Sequence, residues 1–142
     1  MRWAEFEDPE QEKVKMEKLL KENPKDASAY YNLAVVYASM RDFFTAIELC
    51  EKAIDLDPRN AIYRALHSFA YTNIGEHGKA IEELVVIIEL GTYESDYYVD
   101  IAQAAQRGMD KEYAVSKVVD LRKEGKTRIS DKIEEWLIKP YR

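Results

Sequence analysis

Apolar and small side chains recur along this chain at helical spacing, and the pattern returns every 34 residues. Counting on from Ala27, the small residues Ala34, Ser68 and Ala102 fall in register, as do Ala46, Ala80 and Ala114. Tyr37 matches Tyr71, with Ala105 as the weakest third member. Cys50, Leu84 and Val118 line up, and so do Ala53, Ile87 and Leu121. Counting backwards by the same step, Pro24 precedes Pro58, Met16 and Leu19 precede Cys50 and Ala53, Trp3 precedes Tyr37 and Asp8 precedes Asp42. Glu12 breaks the series where later units carry alanine, so the face that holds it is expected to lie open to water. Two antiparallel helices approach closely only where a side chain is small, and one pair cannot hide its apolar face alone. The series therefore predicts stacked helices over about 9–22, 27–40, 43–56, 61–74, 77–90, 95–107 and 111–124.

The ends of these helices carry their own signals. Asp8, followed by Pro9 and by Gln11 three residues on, reads as an N-cap with an N1 proline and a capping box. Asp42 and Asp110 hold the same place in later units, with Glu76 between them. Asp26 and Asn60 suit the starts of two further helices, and Thr92 or Ser95 that of the next. Gly125 stands where a left-handed residue ends the seventh. A final helix is expected after Ser130, with Ile129, Ile133, Trp136 and Leu137 on one face and Pro140 as its stop. Its simplest role is to cover the last core face; the other reading is that it docks on a partner or a second copy.

This skeleton of small residue, tyrosine, alanine, bulky residue, alanine and proline resembles the tetratricopeptide repeat over residues 27–128, as three consecutive units without insertions. The resemblance implies an all-α fold, an α-solenoid of antiparallel helix pairs wound as a right-handed superhelix. It implies a single domain over 1–142. Its parts are an N-terminal half repeat at 1–26, repeats at 27–60, 61–94 and 95–128, and a capping helix at 129–142.

Composition narrows the function classes. The chain has 142 residues, about one domain, with 46% apolar and 34% charged residues. That balance argues against long disorder. The 27 acidic against 21 basic residues give a charge of −6, which argues against general nucleic-acid binding. No apolar run approaches the ~18 residues of a membrane span, and the acidic start lacks the apolar segment of a secretory signal. Its one cysteine, Cys50, allows no internal disulfide and points to a reducing, cytoplasmic setting.

Catalytic signals are thin. His67 aligns with Leu33 and Ile101, so a half-buried, satisfied imidazole is expected; His77 is expected to be a solvated turn residue. Their ten-residue separation matches no common zinc spacing. Cys50 holds a core-filling place and is expected to be buried and inert. No phosphate-binding glycine loop or nucleophile-elbow motif occurs. Glu82–Glu83 and Glu134–Glu135 are expected on solvated faces. Neither an enzyme activity nor a cofactor nor a metal site is expected.

In the tetratricopeptide family the first helix of each unit lines a concave wall, along which ligand peptides lie. Carried onto this chain, the resemblance gives Ser28, Tyr31, Asn32 and Val35 from the first unit, with Ser39 a turn further on. The second unit gives Ile62, Ala65, Leu66, Phe69 and Asn73, and the third Asp96, Val99, Asp100, Gln103 and Arg107. Tyr31 and Phe69 are the expected anchors. Tyr30, Tyr98, Tyr37 and Tyr71 repeat in register and are expected to pack between helices, whereas Tyr31, Tyr63, Tyr93 and Tyr97 are expected on the contact surface. Some family members clamp a peptide's terminal carboxylates with Lys, Asn and Arg; the matching places here are Tyr31, Val35, Leu66, Asp96 and Asp100, none of them basic. The expected partner is a protein or peptide with apolar anchors and a basic residue, bound by a non-catalytic adaptor. The alternatives are a self-assembling protein that forms homo-oligomers, or an accessory subunit of an enzyme complex.

Overall fold

The structure is a computed structural model that describes residues 6–91 and 111–138. These residues form α1 (Pro9–Glu22), α2 (Ala27–Ser39), α3 (Phe43–Leu56), α4 (Ala61–Asn73), α5 (His77–Leu90), α6 (Lys111–Lys123) and α7 (Thr127–Ile133), closed by a π turn at Glu134–Ile138. Among the described residues there is no strand. The expected helix at 95–107, with Thr92, Ser95 and Asp110, lies outside them. Elsewhere the expected limits hold to within one residue as far as α6.

Local chemistry explains that agreement. The carboxylates of Asp8, Asp26 and Asp42 accept the backbone N–H three residues ahead, from Gln11, Ala29 and Thr45, at 3.1–3.2 Å. Asn60 accepts from both Ile62 and Tyr63. Each bond satisfies a donor that the first turn of a helix leaves free. Glu76 makes no such bond. At the opposite ends, Arg41, Gly75 and Gly125 are left-handed, with φ of 63°, 82° and 78°. The next residue in each case, Asp42, Glu76 or Lys126, donates its N–H to the carbonyl five residues back at 2.9 Å. This is one closing motif used three times, and Arg41 is its exception, since an L side chain resists that conformation.

The small residues sit where helices touch. Ala34, Ala46, Ser68 and Ala80 have no exposed surface and Ala114 almost none. The Ser68 hydroxyl donates to the Ala80 carbonyl at 3.0 Å, a direct bond from α4 to α5. Ala102 lies outside the described residues. Gly78 marks another close approach, because a Cβ there would stand 2.8 Å from the Tyr113 hydroxyl. Each helix from α1 to α4 packs on the next, and α7 packs on both α5 and α6. The chain is thus an all-α solenoid of antiparallel helix pairs. One buried cluster joins Leu33, Ala34, Phe43, Ile47, Cys50 and Leu66. A second joins Ile81, Leu84, Ile88, Val118, Leu121, Ile133 and Trp136.

Both ends differ from expectation in detail. α1 buries no residue outright. Leu19 is 40% exposed although its counterpart Ala53 is fully buried; among the described elements α1 packs on α2 alone. Glu12, expected in open water, is half-buried. At the other end α7 begins at Thr127, ahead of Ser130. Ser130 is not a cap; it is buried, and its hydroxyl donates to the Thr127 carbonyl at 2.8 Å. Ile129, Ile133 and Trp136 are buried as expected, and Ile138 joins them. An α-helix would turn Ile138, five residues past Ile133, off the shared face. The π turn, with its i to i+5 closure, restores it. Pro140 lies outside the described residues.

Candidate protein-binding face

The first helices of two units, α2 and α4, carry ten of the positions expected on a concave wall. Burial sorts them. Ser28, Asn32, Ile62 and Asn73 are exposed, and Tyr31, Phe69 and Ser39 are half-buried. Val35, Ala65 and Leu66 are buried in the solenoid, the last two completely. They are spacers between helices, and a ligand on this face would not reach them. Asp96, Val99, Asp100, Gln103 and Arg107 lie outside the described residues, as do Tyr93, Tyr97 and Tyr98.

Ile62 is the most accessible apolar member, at 46% exposure. Asn60 caps α4 just before it and so fixes where the first turn points. Tyr31 stands against Tyr63 with ring centroids 5.1 Å apart, linking α2 to α4. Tyr63 was expected on the surface; it is 7% exposed and belongs to the core. Burial pushes its phenol up, with Asp57 and Asp26 adding to the effect. Phe69 meets Phe43 edge-on at 6.1 Å. The tyrosines expected between helices do bridge them. Tyr30 receives Lys52 from α3, Tyr37 receives Lys13 from α1, and Tyr71 receives Lys79 from α5, at 5.5–5.7 Å.

Behind this face lies a group of charges where apolar side chains would be expected. Arg64 donates to Glu83 at 3.2 Å, and its Nε and Nη2 donate to the Pro58 carbonyl. The two side chains are only 17% and 14% exposed. Glu83 therefore departs from the solvated face expected of it, while Glu82 is exposed. His67, 6% exposed, sets Nδ1 3.3 Å from Glu83 and Nε2 3.6 Å from Glu51, and neither nitrogen makes a well-aligned hydrogen bond. The Tyr71 hydroxyl donates to Glu51 at 3.5 Å. Its pKa is pushed up to about 12 by burial first, then by Glu51 and Glu83. Burial likewise raises the Cys50 thiol far above its ordinary range, and the residue is fully buried as expected. His77 is half-buried as the first residue of α5 and is not the solvated turn residue expected. Glu134 is partly covered and pairs with Arg122, whereas Glu135 is exposed and pairs with Lys132.

The repeat register carries the signal for this cluster. Arg64 stands 34 residues after Tyr30, His67 after Leu33, and Glu83 after Leu49. Three apolar places are refilled together by charged or titratable groups, which then pair. Among the described residues no group of three or more His, Cys, Asp or Glu is placed to hold a metal ion. No helix there is long and apolar enough to cross a membrane.

Two comparisons with known proteins fit this arrangement. Residues 27–60, the unit formed by α2 and α3, match the family model described as tetratricopeptide repeat. The chain is also similar to MamA, known from a crystal structure, with a TM-score of 0.53 and 18% sequence identity. That likeness covers 95% of each chain, and at such identity it is a likeness of fold.

Proposed function

We propose that this tetratricopeptide-repeat protein is a non-catalytic adaptor that holds a segment of another protein along the face formed by its first helices. The observation that supports this reading most is the apolar surface kept accessible at Ile62, Tyr31 and Phe69 on consecutive first helices, whose neighbours Val35, Ala65 and Leu66 are buried. Aromatic and aliphatic side chains of this kind supply most of the contact energy at protein interfaces. The segment bound has apolar anchors. With Asp96 and Asp100 in the third unit, it also carries a basic residue, whose charge sets register and association rate more than affinity.

Affinity capture from the native lysate, repeated with the Tyr31/Phe69 double alanine variant, tests this. Proteins retained by the wild type and lost by the variant are the expected partners. Ile62→Ala is the cleanest single probe, because the residue is exposed and its loss leaves the core intact. With a captured partner it should weaken binding by about 1–2 kcal/mol, and Tyr31→Ala by about 1–3 kcal/mol. Unchanged affinity with an intact fold would move the site off this face.

A further inference from the structure

A second surface feature lies at the turn end of the first two repeats. Arg41, Phe43 and Phe44 from the α2–α3 turn, and Asn73, Ile74 and Gly75 from the end of α4, line a cleft of about 450 Å³. That is within the size range of ligand sites. Its floor is rigid, since Phe43 is 8% exposed and stacks edge-on against Phe69. One wall is Phe44, which is 70% exposed. The Arg41 guanidinium lies 5.6 Å from the centre of the Phe43 ring. It makes no ion pair among the described residues.

Folding does not ask for these residues. In the 34-residue register Phe44 replaces Glu10 and Gly78, so the helix packs without an aromatic ring there. Arg41 replaces Gly75, and at φ 63° it occupies a conformation that glycine takes without strain. An exposed phenyl ring and a strained arginine both oppose stability. Both line the same cleft. Charge decides what fits it. No lining residue is acidic. The adjacent Asp42 carboxylate is engaged by the Thr45 N–H and hydroxyl. A guanidinium held over a ring and paired with no carboxylate among the described residues is placed to take one.

We propose that this cleft is a second docking site, and that its occupant is an acidic segment of a partner protein. An apolar side chain of that segment packs on Phe44 and Ile74, and a neighbouring carboxylate pairs with Arg41. Its charge preference is opposite to that proposed for the first-helix face, so the two surfaces select different segments. The test is an NMR titration of the ¹⁵N-labelled full chain with a capped peptide, Gly-Ser-Asp-Phe-Glu-Ser-Gly, and with its Asn/Gln analogue. The acidic peptide should shift the amides of 41–44, 74 and 75 saturably, and the neutral analogue should bind several-fold more weakly. Phe44→Ala should weaken the acidic peptide about tenfold. Arg41→Gly keeps the turn; it should reduce binding of the acidic peptide to that of the neutral one and leave the neutral one unchanged. Four results would overturn the proposal. These are no shift at millimolar peptide, equal affinity for both peptides, shifts confined to the Ile62 face, and shifts of the cleft amides on raising the protein concentration alone, which would assign the cleft to a second copy.

Discussion

Arg64 and Glu83 illustrate what a departure from a repeat demands of single residues. Each stands where a sister repeat has an apolar side chain, and each is mostly out of water. Removing one partner strands the other. Glu83→Ala should therefore cost about 3 kcal/mol in urea denaturation, toward the lower end for a broken buried pair because both side chains keep some contact with water. The joint change Arg64→Tyr with Glu83→Leu restores the types found at Tyr30 and Leu49. It should return stability to within about 1 kcal/mol of wild type or above it, since a buried pair is often replaceable by apolar residues. A double variant as unstable as Glu83→Ala would contradict the pairing. Tyr71 makes a second prediction. Its phenol ionises near pH 10 in the unfolded chain and near 12 in the folded one. Between these values the unfolded state holds fewer protons, so stability should fall as pH rises through this window and be unaffected by Tyr71 below it. The fall should be shallower for Tyr71→Phe, and the phenolate absorbance lost in that variant should be the component that titrates near pH 12.

At the scale of elements, helix limits were legible because caps are local. Asp8, Asp26, Asp42 and Asn60 each meet a backbone donor two or three residues away, and nothing distant alters that geometry. The small-residue series was legible for the same reason in reverse. A 34-residue period records contacts that recur, and Ser68 bonding to the Ala80 carbonyl is one of them. Ala80→Trp should therefore be destabilising by about 3 kcal/mol or more, seen as a fall in Tm of roughly 6 °C or more; a melt within a degree of wild type would contradict the contact. What the period cannot convey is which departures pair with each other. Arg64 meets Glu83 from 19 residues away, across two helices, and each alone reads as a surface charge. The first-helix face was legible only in part. Ala65 and Leu66 share a helix with Ile62, and the spacing that names all three does not say which of them the neighbouring helices cover.

Across the described residues, the first and last helices are packed differently. α1 meets water with a lightly packed helix that buries nothing outright, whereas α7 and its π turn press Ile129, Ile133, Trp136 and Ile138 onto α5 and α6. These four side chains are thereby buried in one cluster with α5 and α6. Trp136→Ala should cost about 3–5 kcal/mol and expose the α5–α6 core, read as increased binding of a hydrophobic dye; an unchanged melt would place Trp136 outside that core. The charged trio behind the first-helix face has a further consequence for assembly. In an array of similar hairpins, a slip by one unit sets a helix against a near-copy of its proper neighbour. Arg64 and Glu83 belong to one hairpin and would move together, whereas the approaches of His67 and Tyr71 to Glu51 cross to the preceding hairpin and would be lost in such a slip. The cluster therefore marks one junction of the stack, that between the hairpins at 27–60 and 61–94, as unlike the others.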